Sequence, residues 1–488
     1  MRDLCTLAID TAKKRGATYA DVRIIERKKE AIAVRNGALS QSDLGDDVGF
    51  GVRVIVNGAW GFASSPELSK AEIERTAAMA VELARASALA KMADVKLAHE
   101  PAYEDHWATP FTIHPFKVPL EQKLDLLFRI DEVLRKDERI KVSLASMDFL
   151  REQQHFASTE GSYIVQDLIR SGCGYSATAV QNGEQQTRSF PMSFGGQYKS
   201  GGYELIVASN LLENANRIRE EAIELTTAPE LPSLTTDLIL GREQLVLQIH
   251  ESVGHPNELD RVLGWEANYA GRSFNTPDHL RDRFQYGSEI VNLVADNTVP
   301  QGLATAGYDD DGVRAQRWHV VQNGIFTGYF TTRDTAPFVQ ELMPGQPRSN
   351  GCNRAEGWNN IPITRIPNLS LMPGSAGSLA DLIADTRSGI FMDTNRSWSI
   401  DQMRLNFQFG CEVAREVKDG KLGKLYRNPN YQGITPEFWR GCDAICGHDE
   451  WDLVGVSNCG KGQPGQTAEM SHGCAPARFK NVKVGVKA

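Results

Sequence analysis

The sequence predicts an α+β fold: an N-terminal mixed α/β domain over residues 1–230, then a β-rich C-terminal domain over residues 231–488 carrying one short helix that bears two histidines. Three observations predict it. Helical and strand-like stretches of the first 230 residues follow one another without a regular βαβ order. Proline and threonine residues at 228–236 mark a break. The last third is rich in Gly, Asn, Thr and Ser, with short strands and no long helix evident.

Residues 2–15 place Leu4, Ala8 and Ala12 at helical spacing, with Leu7 beside them and Gly16 as a stop. From Tyr19 the pattern alternates like paired strands, and 49–65 reads as a hairpin turning at Asn57-Gly58. An alanine-rich helix follows over 66–93, with Pro66 suiting its start. The proline-rich, aromatic stretch 99–119 reads as a long crossing loop. Residues 119–137 look helical, several strands follow, and 206–227 is helical again. Beyond the break, 313–336 is a second hairpin candidate at Asn323-Gly324, and 407–417 reads as a strand. A short helix is expected within 436–448.

Composition excludes several functions. Hydrophobic residues make up 41% and charged residues 24%, as in an ordinary soluble protein. A net charge of -9, with no long basic block, argues against a nucleic-acid partner. The N-terminus has no long apolar segment, and no apolar run of roughly 18 residues occurs, so neither a signal peptide nor a membrane span is expected. A cytoplasmic protein is the expectation. There disulfides are a poor default for the eight cysteines, and a thiolate metal ligand deserves weight.

The informative stretch is 245–260, LVLQIHESVGHPNELD, with His250 and His255 five apart and Glu251 after the first. Two structural histidines are the bland reading. Against it stands Glu251, placed as in His-Glu peptidases, where a glutamate takes a proton from water. On a regular helix residues five apart lie about 140° from one another, so two such ligands cannot share a metal. A π-type widening, or a helix ending at Gly254, removes the difficulty, and Pro256 closes the helix just after. A catalytic zinc takes three protein ligands. Candidates for the third are Cys459, Cys442 or Cys446, and His472 or Cys474; spacing does not choose among them. Cys442, Cys446 and His448 could also form a separate site, or be incidental. Arg314 and Arg317 read as a hairpin ion pair or as binders of a substrate carboxylate.

End to end, the chain resembles the TldD/PmbA peptidases, in particular the TldD-like branch. The resemblance rests on HESVGH at 250–255, EGSYIVQD at 160–167, DDDGVRAQR at 309–317, NRSWSI at 395–400 and CGKGQP at 459–464. The PmbA/TldE branch is similar but lacks the two-histidine motif. The resemblance implies a metallopeptidase whose metal, zinc or another divalent ion, is held by His250, His255 and Cys459, with Glu251 as general base. It also implies a peptide or unfolded-protein substrate and a dimer, either a homodimer or a heterodimer with a TldE/PmbA-like chain. The competing readings are a non-peptidase hydrolase using the same metal, and a non-catalytic or regulatory subunit with a structural metal.

Overall fold

The computed structural model describes residues 1–269, 271–339 and 348–486. As the sequence predicts, it is mixed α and β. The N-terminal part is built on one long, mostly antiparallel sheet. In spatial order its strands are Ala59–Ser65, Ala38–Val56, Tyr19–Arg35, Ile140–Ser158, Tyr163–Gln181 and Glu104–Ala108. Glu184–Phe190 and Gln197–Ser200 also pair with Tyr163–Gln181. Asn57 and Gly58 both take positive φ, which the tight hairpin between the first two of these strands requires.

Two expectations need correction here. The second helix starts at Lys70 rather than Pro66, because the Ser69 side chain accepts from the Glu72 amide and caps it. The stretch 99–119 is not only a loop. Glu104–Ala108 pairs in parallel with Tyr163–Gln181, so backbone groups expected to face water complete a sheet edge instead.

Pleating gives this sheet two unlike faces. One carries Ala20, Val22, Ile24, Phe50 and Val52 under helices Arg2–Lys14 and Lys70–Ala88. Further along, Ile32, Val34, Met147, Phe149 and Tyr175 lie under Leu120–Leu134 and Leu211–Leu225. The other face carries Asp21, Arg23, Arg53 and Gln154, all buried. It docks on the aspartate run of the 309–317 motif. Arg53 reaches both Asp21 (2.7 Å) and Asp311 (2.5 Å), Arg23 reaches Asp310 (3.3 Å), and Gln154 donates to Asp310 (3.0 Å). Residues 38–46 lie beyond these covered parts. They pair only with Tyr19–Arg35, are exposed along their length and, among the described residues, have no strand on their outer side.

Past residue 230 the strands Ser388–Ile400, Leu234–Leu240, Ala477–Val484, Asn430–Ile434 and Asn406–Lys418 pair in turn, and the first pairs again with the last, closing a ring. A four-stranded sheet (Ile325–Phe326, Arg317–Gln322, Leu293–Asp296, Leu369–Leu371) and the hairpin Asp452–Lys461 with Gln466–Cys474 complete this part. The expected helix within 436–448 is shorter and earlier. It spans Thr435–Arg440, and Cys442–Ile445 is a strand drawn onto the edge of Ala477–Val484. Among the described residues no helix is long and apolar enough to cross a membrane.

Arg53→Met leaves Asp21 and Asp311 buried without their shared cation. It should cost about 3–5 kcal/mol, read as a lower urea midpoint. An unchanged midpoint would show that the docking face does not depend on this arginine.

Candidate functional site

Strand Leu234–Leu240 runs through Gly241 into helix Arg242–Ile249. Gly241 packs so tightly on Asp393 that a Cβ there would meet Oδ1 at 2.3 Å. At His250 the helix widens. His250–Gly254 is a π-turn, closed by the His255 amide on the His250 carbonyl, and His255–Asn257 continues as a 3-10 turn. The wider turn absorbs the extra residue of the five-residue spacing and brings the two imidazole centroids to 4.8 Å.

A π-turn leaves its carbonyls poorly served, and side chains from elsewhere take them. The Tyr286 hydroxyl donates to the Ser252 carbonyl, and Asn257 Nδ2 donates to the Val253 carbonyl. Ser252 Oγ accepts from Gln248 Nε2 and Trp439 Nε1, each at 2.9 Å. Pro256 sits in the first turn of the 3-10 segment, where a missing N–H removes no bond, and its carbonyl accepts from Ser273.

Cys459 arrives from strand Asp452–Lys461, with Sγ 3.6 Å from His255 Nε2. Donor atoms of His250, His255 and Cys459 lie within 4.8 Å of one another, and among the described residues they are the one His/Cys/Asp/Glu group that converges in this way. Two residues on, and so on the same side of the strand, Lys461 lies 2.8 Å from both Asp260 oxygens and 3.2 Å from Glu258. Arg365 donates to the Cys459 and Gln466 carbonyls and pins the strand from behind.

Each histidine has an outer partner. His255 Nδ1 donates to Glu258 at 2.7 Å. His250 Nδ1 meets His472 Nε2 at 2.8 Å, and His472 Nδ1 meets the Leu369 carbonyl at 2.9 Å. Burial, with His250 alongside, holds His472 well below the usual histidine range, so its ring is neutral. A carbonyl only accepts, so His472 Nδ1 carries the proton and Nε2 accepts from His250 Nδ1–H. The Nε2 lone pair of His250 is thereby left for the cluster. Burial also lowers His250 and His255. Burial pushes the Cys459 thiol up, but His255 and Arg365 more than offset it, so it lies below the ordinary thiol.

These groups open on a cavity of about 260 Å³, with apolar wall from Met192, Phe194, Leu247 and Trp398. Glu251 faces it, with Oε2 2.6 Å from Arg404 Nη1. Cys442 and Cys446 are buried elsewhere and His448 is exposed, so no second cluster forms from them. Cys474 Sγ points at the Arg242 carbonyl. Arg317 pairs with Asp296 at 3.4 Å, and Arg314 lines a different cavity beside Trp107. Sequence reasoning missed Arg404, which no motif marks, and took His472 for a third-ligand candidate rather than a partner of His250. Glu258 and Lys461 were in view, inside or beside the two motifs, but nothing in their spacing revealed their pairing.

The chain matches family models over most of its length: the PmbA/TldA metallopeptidase C-terminal domain over residues 235–486, domain 1 over 20–84 and the central domain over 113–228. A metalloprotease of Methanocaldococcus jannaschii is 28% identical over 93% of this chain and 94% of its own. A protein named zinc metalloprotease TldD homolog, from Saccharolobus solfataricus, is 23% identical over 98% of each chain. Among solved structures, a putative modulator of a DNA gyrase from Thermotoga maritima has a TM-score of 0.74 at 17% identity, and TldE from Thermococcus kodakarensis has 0.74 at 14%; each alignment covers 99% of both chains.

The thiols differ enough to predict reactivity. Burial raises the other seven, Cys5 to about 12 and Cys173 to about 11, and only Cys459 is lowered. In chelator-treated protein at neutral pH, iodoacetamide should alkylate Cys459 first, as read by peptide mapping. Modification of any other cysteine ahead of it would contradict the assignment.

Proposed function

Because the chain belongs to the PmbA/TldD metallopeptidase family, we propose that it is a metal-dependent peptidase acting on peptides or unfolded chains, with His250, His255 and Cys459 as ligands and Glu251 as general base. The observation that carries this reading is the convergence of two imidazoles and a thiol on one cavity, their donor atoms within 4.8 Å. Two nitrogens and a sulfur suit zinc, and three protein ligands leave a position open for chemistry. A zinc name on one relative agrees with that metal.

Bound there, a divalent metal would polarise a carbonyl and lower the pKa of water. The protein's own groups do the rest. Glu258 and His472 hold the two imidazoles in the tautomer that presents Nε2. Glu251 accepts a proton from the attacking water and returns it to the leaving amine. Phe194 and Trp398 give the cavity an apolar side against which a substrate side chain can rest. The fold shared with TldE of Thermococcus kodakarensis makes pairing with a TldE/PmbA-like chain, or with a second copy, part of the proposal.

Elemental analysis should find about one metal per chain. His250→Ala and Cys459→Ala should lose it, and full occupancy in either variant would sink that residue as a ligand. Glu251→Gln should keep the metal yet lose cleavage of reduced, alkylated casein by a factor of 100 or more, on the order expected of a lost general base; retained turnover would rule out its role. His472→Leu should weaken metal binding by about 10- to 100-fold while the fold persists. Unaltered affinity would show that His250 needs no outer partner.

A further inference from the structure

Arg404 is fixed in place more firmly than an ordinary surface turn. It lies between strands Ser388–Ile400 and Asn406–Lys418, in the left-handed region at φ 61. Its turn is closed by its own amide on the Asp401 carbonyl, and the Asp401 carboxylate accepts from the Leu405 and Asn406 amides. The Gln402 and Met403 carbonyls accept from Arg272 and Phe274, and the Arg404 carbonyl accepts from Thr435 Oγ1. Such a backbone for a non-glycine residue persists only where its surroundings over-determine it.

The side chain is fixed but not used up. It is 17% exposed and lines the same cavity as His250, Glu251, His255 and Cys459. One nitrogen, Nη1, bonds Glu251, while Nε is buried without a hydrogen-bond partner. A guanidinium has five N–H groups, and the Glu251 bond uses one of them, so the head keeps donors for a second acceptor in the cavity.

Resting on the peptidase reading above, we propose that Arg404 is a second catalytic residue, which holds Glu251 in the resting enzyme and takes the carbonyl oxygen of the substrate as Glu251 becomes protonated. The charges balance at each stage. As water adds, one of its O–H bonds breaks and the proton goes to Glu251. A C–O bond forms, and the carbonyl π pair moves to oxygen. Glu251 thus loses its negative charge in the step in which one appears on the substrate oxygen, and Arg404 exchanges one anion for the other. As the C–N bond breaks, its electron pair leaves with the nitrogen, which takes the proton from Glu251. The oxygen re-forms the double bond, and the Arg404–Glu251 pair is restored.

The test uses full-length, metal-loaded protein, reduced and alkylated casein as substrate, and a phosphinic peptide as a tetrahedral mimic. Arg404→Gln should keep its metal and its folded structure, lose about 100- to 1,000-fold in kcat with little change in KM, and bind the phosphinic peptide weaker by a similar factor. Arg404→Lys should recover part of the loss, since it restores charge but not the planar fork. In a Glu251→Gln background, adding Arg404→Gln should still weaken phosphinate binding. If it does not, Arg404 serves only to hold Glu251 and the proposal falls. Unchanged kcat and phosphinate affinity in Arg404→Gln would also overturn it. Absence of metal-dependent cleavage by the wild-type protein is a different result, which overturns the peptidase reading itself.

Discussion

The π-turn at His250–Gly254 is the constraint on which the rest of the site depends. If the segment relaxed into regular helix, the second imidazole would swing to about 140° from the first and the cluster would not exist. A widened turn is intrinsically poor in backbone bonding, so it must be held from outside. Tyr286, Trp439 and Asn257 do so, each bonded to an atom of the turn or of Ser252. Ile366 presses from another side, so close to Gly254 that a Cβ there would meet it at 2.8 Å. These residues are drawn from positions as far apart as Asn257 and Trp439. The surrounding part of the chain is in this sense a mould for five residues.

The same logic extends to the strand that brings Cys459. Its thiol and the Lys461 ammonium project from one side, so two contacts locate the strand: Cys459 on His255, and Lys461 between Glu258 and Asp260. Glu258 is common to both, since it also accepts from His255. The two imidazoles are consequently not equivalent. One rests on a carboxylate and the other on a neutral ring that ends at a carbonyl, which makes the first the more electron-rich donor.

Much of this was legible in the sequence, for identifiable reasons. Helices with a clear apolar face and hairpins with Asn-Gly turns were readable because they obey local rules. The spacing of His250 and His255 could demand a bulge because the angle between them is fixed by helix geometry alone. Cys459 was different: several cysteines and a histidine stood as equals until the family resemblance singled one out. Glu104–Ala108 was hidden because its pairing partner lies some 60 residues away and its five residues stand between Pro101 and Pro110 with no apolar alternation of their own. Arg404 was invisible for a stronger reason. A lone arginine on a polar turn looks like any surface residue, and only the closing of a ring of strands turns that loop onto Glu251.

The open border of the N-terminal sheet, residues 38–46, has a consequence for how copies of the molecule meet at high concentration. Nine residues paired on one side only among the described residues, with Leu39 and Leu44 exposed, form a template on which a second chain could crystallise as an added strand. Asp43 and Asp46 stand on that border. A copy approaching in the antiparallel sense would bring its own aspartates against them, so the border carries its own electrostatic deterrent to fibre growth.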